Sequence, residues 1–245
     1  MKTRATRGMR RRTSAVFKSQ AKAVIKEVRK ADQGQVTKAI TRGIKRYEPK
    51  MVTIFKTYYG SMFDLGALNV RRFLKKQDVL ENPFEILRAQ FINSFSAEKV
   101  VNISANTIKR LKGSIRFGLD AGMSPYDLSF LLEDTAPRVL SPGRAETIAR
   151  TEVHNAFENA SLSVAKESEI EMQKTWMASL DGDTRLGHRE VDGISVGVND
   201  NFEVPLYNHD DEEIEVTLME GPGDQSAPAG QVVNCRCTLV FEPMA

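Results

Sequence analysis

Apolar residues in the first half of the chain recur at steps of three and four, a spacing that places them on one face of an α-helix. The clearest run lies between residues 49 and 76 and includes Phe55, Tyr59 and Phe63. Ser124 and Pro125 fit the N-cap and the first position of a later helix. Helices are therefore predicted over residues 14–30, 49–76, 83–95, 97–119 and 144–166, with a short helix after Ser124.

Beyond residue 168 the pattern changes to short β-prone runs separated by turns rich in Asp, Gly and Pro. Strands are predicted at residues 174–179, 201–206, 214–218 and 232–241, with a tight turn at Asp192-Gly193. The predicted fold class is α+β: an all-helical N-terminal half, then a compact α+β domain with a small, mainly antiparallel sheet. Prolines and a glycine cluster at 135–143, so the predicted domains are residues 1–135, with 1–13 as a flexible arm, and residues 136–245.

Charge separates the two halves. Residues 1–125 hold 27 basic and 9 acidic residues, a net charge of +18, whereas residues 126–245 hold 8 and 23, a net charge of −15. A basic half of this kind favours contact with nucleic acid or another acidic surface, although a solvated helix face or a disordered tail also explains such charge. The candidate nucleic-acid-binding residues are Arg10, Arg11, Arg12, Lys18, Lys22 and Lys26.

Composition excludes several classes of protein. No apolar stretch reaches the roughly 18 residues of a membrane span, and the basic opening segment lacks the apolar block of a secretory signal. We therefore expect the protein in the cytoplasm of the cell that makes it. Cys235 and Cys237 are the only cysteines, and they lie too close together to form a disulfide framework.

Three interpretations of the polar residues in the second half stay open. Cys235, Cys237 and His188 have the ligand types of a tetrahedral zinc site, with His154 or His209 as a fourth ligand. Alternatively, the cysteines are buried and the polar residues around them form a hydrogen-bonded structural network. The third interpretation is a divalent-metal hydrolase or nuclease built from Glu152, Asp181, Asp183, His188 and Asp192.

Three segments give a sharper indication: ARTEVHNAFENA at 149–160, DGDTRLGHREVDG at 181–193 and GPGDQSAPAGQVVNCRC at 221–237. Their order and spacing resemble the phage Mu protein F-like head morphogenesis family over about residues 120–241. The resemblance implies one network formed by the polar and motif residues of these segments and the intervening tryptophan. These residues are Arg150, Glu152, Asn155, Trp176, Asp181, Thr184, Arg185, His188, Asp192, Gly193, Asn234, Cys235, Arg236 and Cys237.

The resemblance also implies a role. Members of this family are minor head proteins of tailed bacteriophages and prophages, found in the virion at the capsid interior or portal vertex and in the host cytoplasm during assembly. The expected partners are the portal protein, capsid or scaffold proteins, and packaged DNA through the basic half, without a membrane. The expected role lies in head morphogenesis, DNA packaging or DNA delivery, without catalysis. No cofactor is expected, apart from the zinc alternative, and the nuclease or hydrolase remains the second hypothesis.

Overall fold

The computed structural model describes residues 2–71, 81–168 and 170–244, with the backbone alone for 81–84. A helical part is followed by a part with small antiparallel sheets, which confirms the predicted α+β class. In chain order the elements are α1 (Lys2–Arg29), a 3-10 turn (Gln33–Gln35), α2 (Val36–Lys45), α3 (Glu48–Arg71), α4 (Glu81–Ser114), α5 (Arg116–Asp120), α6 (Pro125–Val139), α7 (Pro142–Lys166), β1 (Met172–Met177), α8 (Leu186–Glu190), β2 (Ser195–Gly197), β3 (Phe202–Tyr207), β4 (Glu213–Met219), α9 (Ala229–Val232) and β5 (Thr238–Pro243).

The chain forms two compact units. The first comprises residues 3–58 and 92–149, and the second comprises Lys2 and the described residues between 59 and 91 and between 150 and 244. The predicted domain boundary at 135/136 lies inside α6. The two-domain division made from the sequence stays a prediction, because the compact units follow tertiary contacts that return to earlier parts of the chain.

The first unit is built from helices, and α1 begins earlier than the sequence suggests. Residues 2–13, for which a flexible arm is predicted, are helical, and Met9 and Thr13 are fully buried. Met9, Thr13 and Val16 follow a helical spacing that continues to Phe17 and Val24, but the intervening arginines hide it. Burial of these positions against the unit's core explains why the basic segment is ordered.

Two helix boundaries also differ from the prediction. Helix α4 is continuous from Glu81 to Ser114, although two helices are predicted there. Helix α6 continues through Pro137, because this proline lies in the last turn, where a lost backbone hydrogen bond disrupts the helix least. The predicted cap is confirmed: the Ser124 hydroxyl accepts a hydrogen bond from the Asp127 backbone N–H at 3.2 Å. The predicted end of α3 at residue 76 lies outside the described residues.

The second unit contains both sheets. In the first, β1 lies between β2 and β5 and is antiparallel to both, while β3 and β4 form a separate antiparallel pair. Trp176 on β1 pairs with Leu239 on β5, and its side chain is fully buried against Phe202 on β3 at a ring separation of 5.4 Å. The core of this unit thus lies beside the motif segments. No helix in the described part of the chain has the length and apolarity needed to cross a membrane.

Candidate functional site

Helix α7 carries a row of polar side chains that form hydrogen bonds within the second unit. The Thr151 hydroxyl accepts a hydrogen bond from the Asn234 backbone N–H at 3.1 Å. Glu158 accepts hydrogen bonds from the Thr238 hydroxyl at 3.0 Å and from the Leu239 backbone N–H at 3.2 Å. These bonds fix the segment after α9 and the start of β5 on the helix. Helix α7 has an unusually polar face because its side chains accept hydrogen bonds from buried backbone N–H groups, such as those of Asn234 and Leu239.

Glu158 is a buried carboxylate with a cation beside it. Burial raises the pKa of Glu158, and the Lys2 ammonium, 3.1 Å away, opposes that rise. One turn earlier, His154 has its Nδ1 3.8 Å from the Glu158 carboxylate. Burial lowers the pKa of His154 to about 3, so this imidazole is neutral at pH 7. His154 therefore belongs to the packing of α7.

The loop from residue 179 to 193 is held by its own side chains and by Arg236. The Asp181 carboxylate accepts hydrogen bonds from the Thr184 hydroxyl at 3.1 Å and from the Arg236 guanidinium at 2.6 Å. The Asp192 carboxylate accepts one from the Ala178 backbone N–H at 2.7 Å. Gly193 follows with a φ of +76°, a conformation that favours glycine. This loop carries α8 and, within it, His188.

His188 is held in place from several sides. A Cβ at the preceding Gly187 would lie 1.9 Å from the Pro205 carbonyl oxygen, so only glycine allows α8 to approach β3 this closely. The imidazole is fully buried and meets the Trp176 ring edge to face at 5.1 Å. Its Nε2 lies 3.0 Å from the Gln231 side-chain oxygen. These contacts fix both the position and the rotation of the ring.

The other ring nitrogen of His188 faces both cysteines. Nδ1 lies 3.6 Å from Sγ of Cys235 and 3.4 Å from Sγ of Cys237, and both thiols are free and buried. The hydrogen bond between the two cysteines, together with burial, raises the pKa of Cys235. The same bond lowers the pKa of Cys237. A strand was predicted over residues 232–241, but the two cysteines lie in the segment between α9 and β5.

Most of the predicted network residues lie in this region. Arg185 donates to the Val233 carbonyl at 2.6 Å, which connects the loop of Asp181 to the cysteine segment. Glu152 instead accepts a hydrogen bond of 2.5 Å from the Tyr59 hydroxyl, and Asn155 lies buried next to Gly223, so both serve other parts of the unit. Arg150 is exposed on α7. The structure thus places the predicted residues in three neighbouring groups around α7, the loop and the cysteines.

Sequence reasoning missed four residues of this region: Thr151, Glu158, Asp224 and Gln231. Glu158 could have been found, because it lies three residues after Asn155 and four after His154, on the same helix face. Asp224 closes its loop by accepting hydrogen bonds from the Ser226 and Glu220 backbone N–H groups at 2.8 Å and 2.7 Å. Gln231 carried no signal in the sequence, since its partners lie on distant segments.

The residues proposed for a hydrolase do not converge. Among the described residues, the one cluster of at least three His, Cys, Asp or Glu side chains with mutually close ligand atoms is His188, Cys235 and Cys237. This cluster contains no carboxylate. The Asp181 and Asp192 carboxylates instead accept hydrogen bonds from Thr184 and from the Ala178 backbone N–H. His209 is exposed in the turn between β3 and β4. Neither it nor His154 joins the cluster, which removes both as the predicted fourth ligand.

The basic residues of α1 form a separate surface in the first unit. Arg10, Arg11, Arg12, Lys18, Lys22 and Lys26 are all exposed. Arg10 forms an ion pair with Glu146 at 3.3 Å, and Arg12 lies over the Tyr58 ring. The other four share one helix face with two further arginines, and we call this set the α1 basic stripe: Arg4, Arg7, Arg11, Lys18, Lys22 and Lys26.

The fold is that of an α+β protein, and comparison with known proteins identifies its family. A sequence profile for "Phage Mu protein F like protein" matches residues 109–240, more than half of the chain. The chain therefore belongs to the phage Mu protein F-like family, which confirms the resemblance found in its motifs. No solved structure matches the chain significantly.

Two curated proteins are similar to this chain over part of their length. The chain is 29% identical over 167 residues to the minor head protein GP7 of Bacillus phage SPP1, covering 67% of this chain and 48% of that protein. It is 32% identical over 208 residues to NAD(+)--arginine ADP-ribosyltransferase EFV of Enterococcus faecalis strain V583, covering 82% of this chain and 39% of that protein. The chain thus spans less than half the length of each of these relatives.

Proposed function

We propose that this protein is a minor head protein of a tailed bacteriophage or prophage, located at the portal vertex and acting in head morphogenesis, DNA packaging or DNA delivery. The observation that carries the proposal is the family match over residues 109–240. The SPP1 relative, itself named a minor head protein, supports the same conclusion. The buried network of the second unit fits a structural part, since its carboxylates bind backbone groups and a neighbouring arginine.

The first unit supplies the part that contacts DNA. The α1 basic stripe lines up along one helix face, and a groove of about 730 Å³ beside it is bordered by Arg4, Arg7, Arg10, Arg11 and Lys18. Among the described residues that border this groove, none is acidic. Within the described part of the chain, no ion pair engages a member of the stripe. Such a row of free cations suits sequence-independent contact with phosphates.

The proposed role is not catalytic. The second relative is named an ADP-ribosyltransferase, but this chain spans only 39% of that protein. Most of that protein lies outside the match, so we do not assign its activity to this chain. The stripe and the buried polar network, the two features argued above, both suit binding and assembly.

The proposal predicts a defect in particles made without the chain. An amber codon placed early in the gene is expected to give heads with less packaged DNA, or with fewer infections per packaged genome, in a host without a suppressor. Supplying the wild-type chain from a plasmid should restore both quantities. A matched plasmid encodes the chain with the α1 basic stripe neutralised. This variant chain should enter heads but restore infectivity poorly, which separates assembly from DNA handling. Particles of normal DNA content and infectivity without the chain would contradict the proposal.

A further inference from the structure

Three ligand atoms meet in the second unit with the spacing of a metal site. Nδ1 of His188 lies 3.4 Å and 3.6 Å from the two cysteine sulfurs, and all three atoms lie within 4.8 Å of one another. With Zn–S bonds of about 2.3 Å and Zn–N bonds of about 2.0 Å, neighbouring ligands of a tetrahedral zinc are about 3.6 Å apart. The two observed nitrogen–sulfur separations match two edges of such a tetrahedron.

Gln231 sets the tautomer of His188 that metal binding requires. The Gln231 amide nitrogen lies 3.4 Å from the Val204 carbonyl and 3.2 Å from the Pro205 carbonyl, and these oxygens can only accept hydrogen bonds. The Gln231 oxygen must therefore face His188 and accept from its Nε2–H. A neutral imidazole protonated at Nε2 presents a lone pair at Nδ1. Nδ1 is the ring nitrogen that both sulfurs approach, and Gln231 acts as the partner that metal-bound histidines usually have.

Hydrogen bonds account for this arrangement only in part. The single lone pair of Nδ1 can accept one S–H bond, yet the sulfurs of both Cys235 and Cys237 approach it. A cation at the centre of the three atoms would satisfy all of them at once. Thiolate sulfur favours zinc over magnesium or calcium, which prefer oxygen ligands.

We propose that His188, Cys235 and Cys237 bind one zinc ion with a structural role. On binding, the two thiols release their protons to solvent, and the two thiolates balance the charge of the ion. The described residues provide three ligands, so a water molecule or another small ligand completes the tetrahedron. The ion would connect α8 to the segment before β5, positions 47 and 49 residues apart in the chain. This inference does not depend on the proposed head function.

The test is a metal analysis of the full-length protein, purified without a histidine tag from zinc-supplemented cells. Elemental mass spectrometry should find about one zinc per chain. Ellman's reagent should react slowly with the two thiols and fast after a strong chelator is added. Cobalt exchanged for zinc should give the intense visible and sulfur-to-metal bands of a tetrahedral thiolate site. All three readouts use the wild-type chain, so they stay informative if a variant fails to fold.

Variants locate the site. C235S/C237S should lose the zinc, and Gln231→Leu, a positioning variant, should weaken zinc binding about 10- to 100-fold while keeping the three ligands. His209→Ala is the matched control, because it removes an exposed histidine outside the cluster, and it should retain the zinc. Little zinc with two thiols that react freely in the native protein would overturn the proposal. So would thiols that become reactive only after reduction, or zinc that the cysteine variant retains.

Discussion

Replacing five cations of the α1 basic stripe by glutamine is expected to weaken binding to duplex DNA by at least about 100-fold at about 0.1 M salt. The reason is that each cation on a phosphate releases a counterion, so the logarithm of affinity falls with the logarithm of salt by about 0.9 per contact. The variant should therefore show a slope shallower by about 4. Fluorescence anisotropy with a labelled duplex of mixed sequence, titrated across a salt series, measures both quantities. The substituted residues are Arg4, Arg7, Arg11, Lys18 and Lys22.

The matched control changes the net charge by the same amount at other exposed positions of the first unit. Its substitutions, again to glutamine, are at Lys38, Lys45, Lys50, Lys109 and Arg110. The control should keep most of the wild-type affinity and slope, because its charges are not aligned on one helix face. Equal losses in the two variants would show that net charge alone attracts DNA. An unchanged slope in the stripe variant would remove DNA from the proposed role of α1.

Replacing Lys174 by methionine is expected to stabilise the second unit at neutral pH by about 2 kcal/mol. Lys174 lies on β1 with its side chain fully buried, and its ammonium has no hydrogen-bond partner in the described part of the chain. Burial lowers the pKa of Lys174 from 10.5 to about 8, and the nearby Lys166 charge adds to this. Methionine keeps the apolar contacts with a similar volume and removes the buried charge.

The advantage of the Lys174→Met variant should depend on pH in a defined direction. Below pH 8 the lysine is protonated in both the folded and the unfolded state, so the full cost of burying the charge is present. Between the folded pKa of about 8 and the ordinary value of 10.5, the folded state has lost the proton and the unfolded state still binds it, so wild-type stability rises with pH relative to the variant. Above pH 10.5 the difference should disappear.

Urea unfolding at several pH values measures this difference. The exposed Lys109→Met variant is the control, and its stability should stay within about 0.5 kcal/mol of wild type at every pH. Using differences between variants cancels the titration of all other groups, including the two cysteines. A Lys174→Met protein less stable than wild type at pH 7, or a difference independent of pH, would show that the ammonium has found a partner.

Local signals predicted the elements of this fold well. The Ser124 cap and the start of α6 depend on neighbouring residues, so the sequence indicates them directly. The flexible arm was predicted because arginines dominate residues 1–13, whereas the few apolar positions that decide burial, such as Met9, are outnumbered. Pro137 belongs to the cluster of prolines and glycine from which a break was predicted, but it lies in the last turn of α6, where its missing N–H removes one bond to the preceding turn.

The candidate site was predicted in part. The pairing of His188 with Cys235 and Cys237 was a sequence hypothesis, and the structure brings their ligand atoms together. Gln231 and Thr151 could not be predicted, because their roles come from contacts with Val204, Pro205 and Asn234 that depend on the tertiary fold. Sequence spacing identifies residue types with matching chemistry. That Nδ1 of His188 faces both sulfurs is decided by the packing of α8 against β3.

The central claim is that this chain is a component of the phage head. The most direct measurement is quantitative mass spectrometry of purified procapsids and mature particles, with labelled peptides that count this chain against the portal protein. The proposal predicts a few copies per particle in both forms, retained with portal after the heads are disrupted gently. Absence of the chain from both forms, with the protein free in the cell extract, would contradict it.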